Sequence, residues 1–279
     1  MFVSLYRNNL ILLMKLFYRK YGEIGPPLII VHGLYGMSDN WLSVAKELSS
    51  YFCVYCIDQR NHGRSPHSPI HNYDAMVDDL KEFLSDHNIE KAILLGHSMG
   101  GKTVMSYAVR YPETVSNLIV VDISPKKYIL SGQISETTNH YKILDTLGKT
   151  NVAEFSSREA IQTSLIKELN DQRLVSFLMK NIRRNNEKQF YWALNIDALQ
   201  QNILSVVDGL EDVFTSQVYG FPTLFIRGLK SNYITDDDIS FIRKLFPYAD
   251  IVDVPDAGHW VHAEQHDVFV HAVKTFLIE

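Results

Sequence analysis

A run of aliphatic residues, Ala92 to Leu95, stops abruptly at Gly96-His-Ser-Met-Gly-Gly101, and an apolar helical pattern follows over Val104 to Arg110. A chain that passes from a buried strand into a helix through so few residues must bend sharply. Glycines on both sides of a serine let neighbouring backbone come close to that bend. Two readings fit: a tight packing turn, or a nucleophile held above a sheet where the chain turns into a helix.

The rest of the chain repeats the strand-then-helix rhythm. Leu28 to His32, Phe52 to Asp58, Lys91 to Gly96, Leu118 to Asp122, Thr223 to Arg227 and Asp250 to Val254 are short apolar runs, as expected of strands buried on both faces. Leu16 to Tyr21 reads as an antiparallel strand at a sheet edge. Tyr73 to His87 places Met76, Leu80, Phe83 and Leu84 on one helical stripe, and Val268 to Leu277 is similar. The alternation predicts a doubly wound, mostly parallel α/β sheet. It breaks once. From Pro125 to about Gly220 no strand is evident, and helical patterns occupy Gln133 to Leu147, Ser157 to Lys180 and Lys188 to Leu204. The expected organisation is a core of residues 14–124 and 221–279, a helical cap of residues 125–220, and an N-terminal extension of residues 1–13.

Composition removes several function classes. The net charge is −5 and no long basic run exists, so nucleic acid is not an expected partner. The apolar stretch Asn9 to Met14 is too short to span a bilayer and lacks a small-residue cleavage site, so neither membrane insertion nor export is expected. With two cysteines only, the expected location is the cytoplasm. Cys53 and Cys56 form a C-x-x-C. On a strand, residues three apart point to opposite faces, so no shared disulfide or metal is expected.

In open α/β sheets ligands bind at the carboxyl ends of the strands, and there the reactive residues gather. Ser98 is the candidate nucleophile of G-x-S-x-G. A serine hydroxyl needs a base, and His259, in a Gly-His turn after the last strand, is the candidate. His262 and His266 are rivals, spaced i, i+4 as metal ligands can be; no further ligands are evident, so neither a metal nor another cofactor is expected. The base needs an orienting acid. The loop after Thr223–Arg227 offers Ser231, and Asp236, Asp237 and Asp238 read as the first turn of a helix. Asp122, ending an apolar strand, is the choice for the acid, with Ser231 as an auxiliary hydrogen-bonding group to the same histidine. The Leu34 and Met99 amides are the natural oxyanion donors. His32, Asp58, Arg60 and His62 read as residues that order the floor of the site. Among aromatic and apolar residues, Tyr35 of the oxyanion loop and Tyr128, Phe155, Phe177, Phe190, Tyr191 and Trp192 of the cap are candidates to line a substrate pocket, with Tyr35, Tyr128 and Trp192 foremost.

His32-Gly-Leu-Tyr-Gly36, Asp58-Gln-Arg-Asn-His-Gly-Arg-Ser65, Gly96-His-Ser-Met-Gly-Gly-Lys102, Val121-Asp-Ile-Ser-Pro125 and Ala257-Gly-His-Trp-Val-His-Ala-Glu264 together resemble the α/β-hydrolase superfamily. Within it they are similar to the YbfF-type bacterial esterases and their mitochondrial relatives. The resemblance implies an α/β-hydrolase fold with a helical cap after the sixth strand. It also implies cleavage of small-molecule acyl esters or thioesters without a cofactor. Ser98, His259, Asp122 and Ser231 match residues of that branch. A lactonase, a carbon–carbon bond hydrolase or a hydrolase-like binding protein is an alternative on the same fold.

Overall fold

The computed structural model describes residues 14–128, 134–210, 213, 214 and 216–278. Residues 1–13 and Gln133 lie outside that set. Among the described residues one seven-stranded sheet forms the centre. Its strands are β1 (Tyr18–Tyr21), β2 (Pro27–Val31), β3 (Cys53–Ile57), β4 (Ala92–His97), β5 (Val115–Val121), β8 (Thr223–Gly228) and β9 (Ala249–Val254). They lie in the order β1-β3-β2-β4-β5-β8-β9, with β1 antiparallel to β3 and every other pairing parallel. The expected antiparallel edge is therefore β1.

The continuous apolar runs are explained by burial on two faces. Leu28 and Ile30, Val54 and Cys56, Ile93 and Leu95, Ile119 and Val121, and Leu224 and Ile226 point to one core. Helix α1 (Leu42–Leu48), the short α9 (Val261–Glu264) and α10 (His266–Ile278) cover that face with Val44, Leu48, Val261, Phe269 and Val273. Ile29 and Val31, Leu94, Leu118 and Val120, and Phe225 point the other way. There they meet α2 (Tyr73–Asp86), α3 (Met99–Arg110) and α8 (Asp236–Leu245). Cys53 and Cys56 are both free and buried on β3. The three aspartates do open α8, where Thr235 and Asp238 form a capping box.

The chain leaves the sheet after β5 and returns at β8; among the described residues β5 is the fifth strand in chain order, where the sequence suggested the sixth. The inserted segment is not wholly helical. It holds α4 (Ile134–Lys149), α5 (Arg158–Leu169), α6 (Gln172–Leu178) and α7 (Ile196–Val207), with a two-stranded hairpin of β6 (Ile182–Arg184) and β7 (Phe190–Trp192) between α6 and α7. The helix expected over Ser157 to Lys180 is cut where Asn170 turns left-handed (φ 54°) and Asp171 caps the next helix on the Leu174 amide. No described helix is long and apolar enough to cross a membrane.

Chain order places the site. From β2 the chain moves to β3 on one side, then crosses back to β4 on the other. That reversal opens a crevice at the carboxyl ends of β2 and β4, and the loops His32–Gly36 and His97–Ser98 flank it.

Candidate active site

Ser98 stands between β4 and α3 with φ 53° and ψ −121°, a left-handed conformation that a non-glycine residue rarely adopts. Its backbone is held on both sides: its N–H donates to the Val121 carbonyl at 3.0 Å, and its carbonyl accepts the Lys102 N–H at 3.1 Å. The flanking glycines allow the bend. A Cβ on Gly100 would lie 2.2 Å from the Val31 carbonyl oxygen, and one on Gly96 would lie 2.3 Å from the Gly100 carbonyl oxygen. Any side chain at these positions would push α3 away from the sheet.

His259 follows β9 and comes to the same edge. Its Nδ1 lies 2.8 Å from Asp122 Oδ2. The carboxylate accepts, so Nδ1 carries the proton and Nε2 keeps its lone pair, a tautomer assigned from the network. Asp122 is fully buried, with φ 48° at the end of β5. Its carboxylate accepts from His259 Nδ1, the Gly228 N–H at 3.1 Å and the Ser231 hydroxyl at 2.5 Å. Among the described residues Ser231 bonds the acid, where the sequence suggested a bond to the histidine. The Tyr233 ring stacks on His259 with centroids 4.0 Å apart, and His97 bonds the His259 carbonyl through Nε2 at 2.8 Å. Ser98 and His259 line one cavity of about 290 Å³. The hydrogen bonds among the described residues include none between the Ser98 hydroxyl and the His259 ring, a contact that often tightens only with substrate present.

The loop after β2 lies against Ser98: a Cβ on Gly33 would be 3.0 Å from Ser98 Cβ. Gly36 N–H donates to Gly33 O at 2.9 Å, so Leu34 and Tyr35 form the middle of a tight turn. Among the described residues no hydrogen bond reaches the Leu34 N–H. The Met99 N–H is the first of α3 and has no partner within its helix. Both residues line a recess of about 30 Å³ beside Ser98. Beneath the loop, His32 Nε2 accepts the Gln59 N–H at 2.9 Å and His62 Nε2 accepts the Tyr35 N–H at 3.2 Å. Burial lowers His32 to about 4 and His62 to about 3, so both stay neutral and can accept. Asp58 accepts the Ser38 and Arg64 amides, and Arg60 forms a buried two-bond pair with Asp79. These four residues brace the loops under the site.

The other candidates divide. Tyr35 and Phe177 line the 290 Å³ cavity. The Tyr128 ring lines the smaller recess, while its hydroxyl joins the Ser124 N–H to the Tyr233 carbonyl. The structure does not bring Trp192 to either space. It lies with Phe190 and Tyr191 along a separate surface groove, its indole N–H on the Thr150 carbonyl at 3.4 Å. His262 and His266 do not share one helix, since Gln265 breaks α9 from α10; His262 stacks on Trp41 and His266 reaches Glu47. Among the described residues no cluster of three His, Cys, Asp or Glu could hold a metal ion. Sequence reasoning missed His140, Tyr233 and Trp260, all on the 290 Å³ cavity. Trp260 adjoins His259 in the chain and Tyr233 lies two residues past Ser231, so proximity was the available signal; His140 had none.

A serine at a strained strand-to-helix bend, a histidine on a buried aspartate and two amides without a hydrogen-bond partner among the described residues, all at the switch point of a parallel sheet, define the α/β-hydrolase class. The chain belongs to that family: the model of the alpha/beta hydrolase fold matches residues 26–265. It is 37% identical to the sn-1-specific diacylglycerol lipase ABHD11 of Danio rerio over 90% of this chain and 78% of that one. It is 31% identical to esterase YbfF of Escherichia coli over 90% of this chain and 92% of the relative. Among solved structures, a marine microorganism esterase superposes with a TM-score of 0.90 at 44% identity, covering 95% of this chain and all of that one.

Proposed function

We propose that the chain hydrolyses carboxylic esters or thioesters of small to medium acyl groups through an acyl-enzyme on Ser98. The observation that carries this reading is His259 Nδ1 on the buried Asp122, with Nε2 left to act as a base in the cavity that holds Ser98. Relatives named as esterases and a lipase support the bond type.

His259 Nε2 takes the Ser98 hydroxyl proton as Oγ attacks the acyl carbonyl. The Leu34 and Met99 amides receive the developing oxyanion. As the tetrahedral intermediate collapses, the bond to the leaving alcohol or thiol breaks and His259 returns the proton to it. Water then repeats the sequence on the acyl-enzyme, releasing the acid and restoring Ser98. Asp122 orients the His259 ring and stabilises the imidazolium. The inserted segment serves as the cap: Ile143, Leu169, Leu174 and Phe177 give the cavity an apolar wall for the acyl chain. About 290 Å³ is at the small end of ligand pockets, which fits a small or medium acyl group.

The test is hydrolysis of a p-nitrophenyl ester series of increasing acyl length by wild type and Ser98→Ala. Turnover by the wild type that falls at least roughly 1,000-fold in Ser98→Ala is expected. Full activity in Ser98→Ala would overturn the serine mechanism.

A further inference from the structure

The Leu34 amide can serve an oxyanion only if the turn Gly33–Gly36 keeps its shape, and the turn contains an awkward residue. Tyr35 is left-handed, with φ 63°. The third position of such a turn is normally glycine or asparagine when φ is positive, and a tyrosine relaxes away unless its surroundings hold it.

Each polar atom of Tyr35 is held. Its N–H donates to His62 Nε2 at 3.2 Å, its carbonyl accepts Asn181 Nδ2 at 2.8 Å, and its hydroxyl lies 3.2 Å from His140 Nδ1. Asn181 and His140 both come from the inserted segment. Asn181 sits in the turn between α6 and β6 and is completely buried. Its amide nitrogen also reaches the Leu178 carbonyl at 3.3 Å, and its backbone carbonyl accepts the Ala193 N–H at 2.8 Å, which fixes it to the residue that follows β7. Its side-chain oxygen is buried without a partner among the described residues. A buried amide that leaves one end unsatisfied is expensive, and what it gains is the bond to Tyr35.

The third contact is indirectly tied to the same segment. The loop carrying His62 is bonded to the chain just after β7: the Gly63 N–H donates to the Ala193 carbonyl at 2.8 Å, and the Asn195 N–H to the Asn61 carbonyl at 3.0 Å. The hairpin therefore grips the His62 loop, and Asn181 at its root grips Tyr35.

We propose that Asn181, seconded by His140, is a positioning residue of the oxyanion site: the inserted segment holds Tyr35 left-handed and so aims the Leu34 amide. This rests on the reading of Ser98 as nucleophile and Leu34 as oxyanion donor. The segment then completes the catalytic apparatus as well as covering the substrate.

Asn181→Ala and Tyr35→Phe test it on the full chain. Tyr35→Phe removes the hydroxyl bonded to His140 and keeps the ring, so it folds even if Asn181→Ala does not. Two quantities are measured on each: kcat and KM on the best p-nitrophenyl ester, and the inhibition constant of a trifluoromethyl ketone bearing the same acyl group. The ketone adds to a nucleophilic serine as an oxyanion and so reports the donors directly. Asn181→Ala is expected to lower kcat roughly 10- to 100-fold, the scale of a misaligned donor, with KM within about threefold and ketone affinity reduced in parallel with kcat/KM. Tyr35→Phe is expected to move both readouts the same way by several-fold. A folded variant of either kind that keeps kcat and ketone affinity within about twofold of wild type overturns the proposal. So does a fall in kcat with ketone affinity unchanged. Ser98→Ala run alongside separates the two readings: if it keeps activity the nucleophile is wrong, whereas loss in Ser98→Ala with unaffected Asn181 and Tyr35 variants condemns only the positioning role.

Discussion

Asp122 shows what a single residue can reveal in sequence and what it hides. An aspartate closing a run of Leu, Ile and Val must have a partner, and that was enough to mark it. The left-handed backbone at Asp122 leaves no trace in the residue pattern, whereas the bend at Ser98 is marked by its flanking glycines. Nor did the pattern tell which group Ser231 would touch. With Ser231 on the carboxylate rather than the imidazole, the two residues make different predictions. Asp122→Asn places an amide opposite Nδ1 and favours the wrong tautomer, so kcat/KM should fall by roughly three to four orders of magnitude. Ser231→Ala removes one donor to a buried carboxylate and leaves the histidine bond in place. A hydrogen bond to a charged group is worth about 1.5–3 kcal/mol, part of which is felt in the ground state, so a loss of roughly tenfold is expected. Steady-state kinetics of both variants decides it: equal losses would mean that Ser231 acts on the imidazole after all.

At the scale of elements, the sheet and its flanking helices were legible because continuous apolar runs and helical stripes differ in period. The inserted segment was read less well. Strands of three residues, Ile182–Arg184 and Phe190–Trp192, are too short to show a period of two. Phe190 to Trp192 therefore passed as the start of the helix that begins only at Ile196. Asn170-Asp171, a helix end beside a helix start, was the overlooked sign of the break between α5 and α6. Two glycines test how tightly the elements are set. Gly100→Ala places a methyl 2.2 Å from the Val31 carbonyl oxygen and 2.6 Å from that of His32. Helix α3 must shift away from β2, and it carries Ser98. The cost of overpacking, about 1–3 kcal/mol, exceeds the helix-propensity gain of up to about 1 kcal/mol. Lower Tm and a loss of roughly 100-fold in kcat/KM are expected. Gly148→Ala, at an exposed position of α4, meets nothing nearer than 3.7 Å. There the propensity gain stands alone, and Tm should rise by about 1–3 °C with activity unchanged. Thermal unfolding and ester turnover of the pair give the answer; a Gly100→Ala protein as stable and active as wild type would mean that the close approach is not required.

Across the whole molecule, the reversal at β2 and the return of the chain after β5 bring distant loops onto one edge, and histidines are prominent among what they carry. Burial lowers His32 to about 4, His62 to about 3 and His262 to about 3, and it holds His71 and His97 well below their ordinary value. A histidine whose folded-state value is depressed contributes stability that is complete above the unfolded value near 6.5 and is lost as pH falls, because only the unfolded chain takes up the proton. Each such group contributes a slope approaching about 1.4 kcal/mol per pH unit below 6.5. Burial raises Asp58 and Asp79, which work in the opposite sense. Stability should therefore fall steeply between about pH 6.5 and pH 5, on a total of only about 5–15 kcal/mol. His262 isolates one contribution. Its ring stacks on Trp41 with centroids 4.0 Å apart, and its Nδ1 is buried without a partner among the described residues. His262→Phe keeps the stack and removes the titration. At pH 7 it should match or exceed wild type in stability, and its urea-unfolding free energy should decline less with acid, by about 1.4 kcal/mol per pH unit. Identical slopes for the two proteins would show that His262 is not held neutral by its burial.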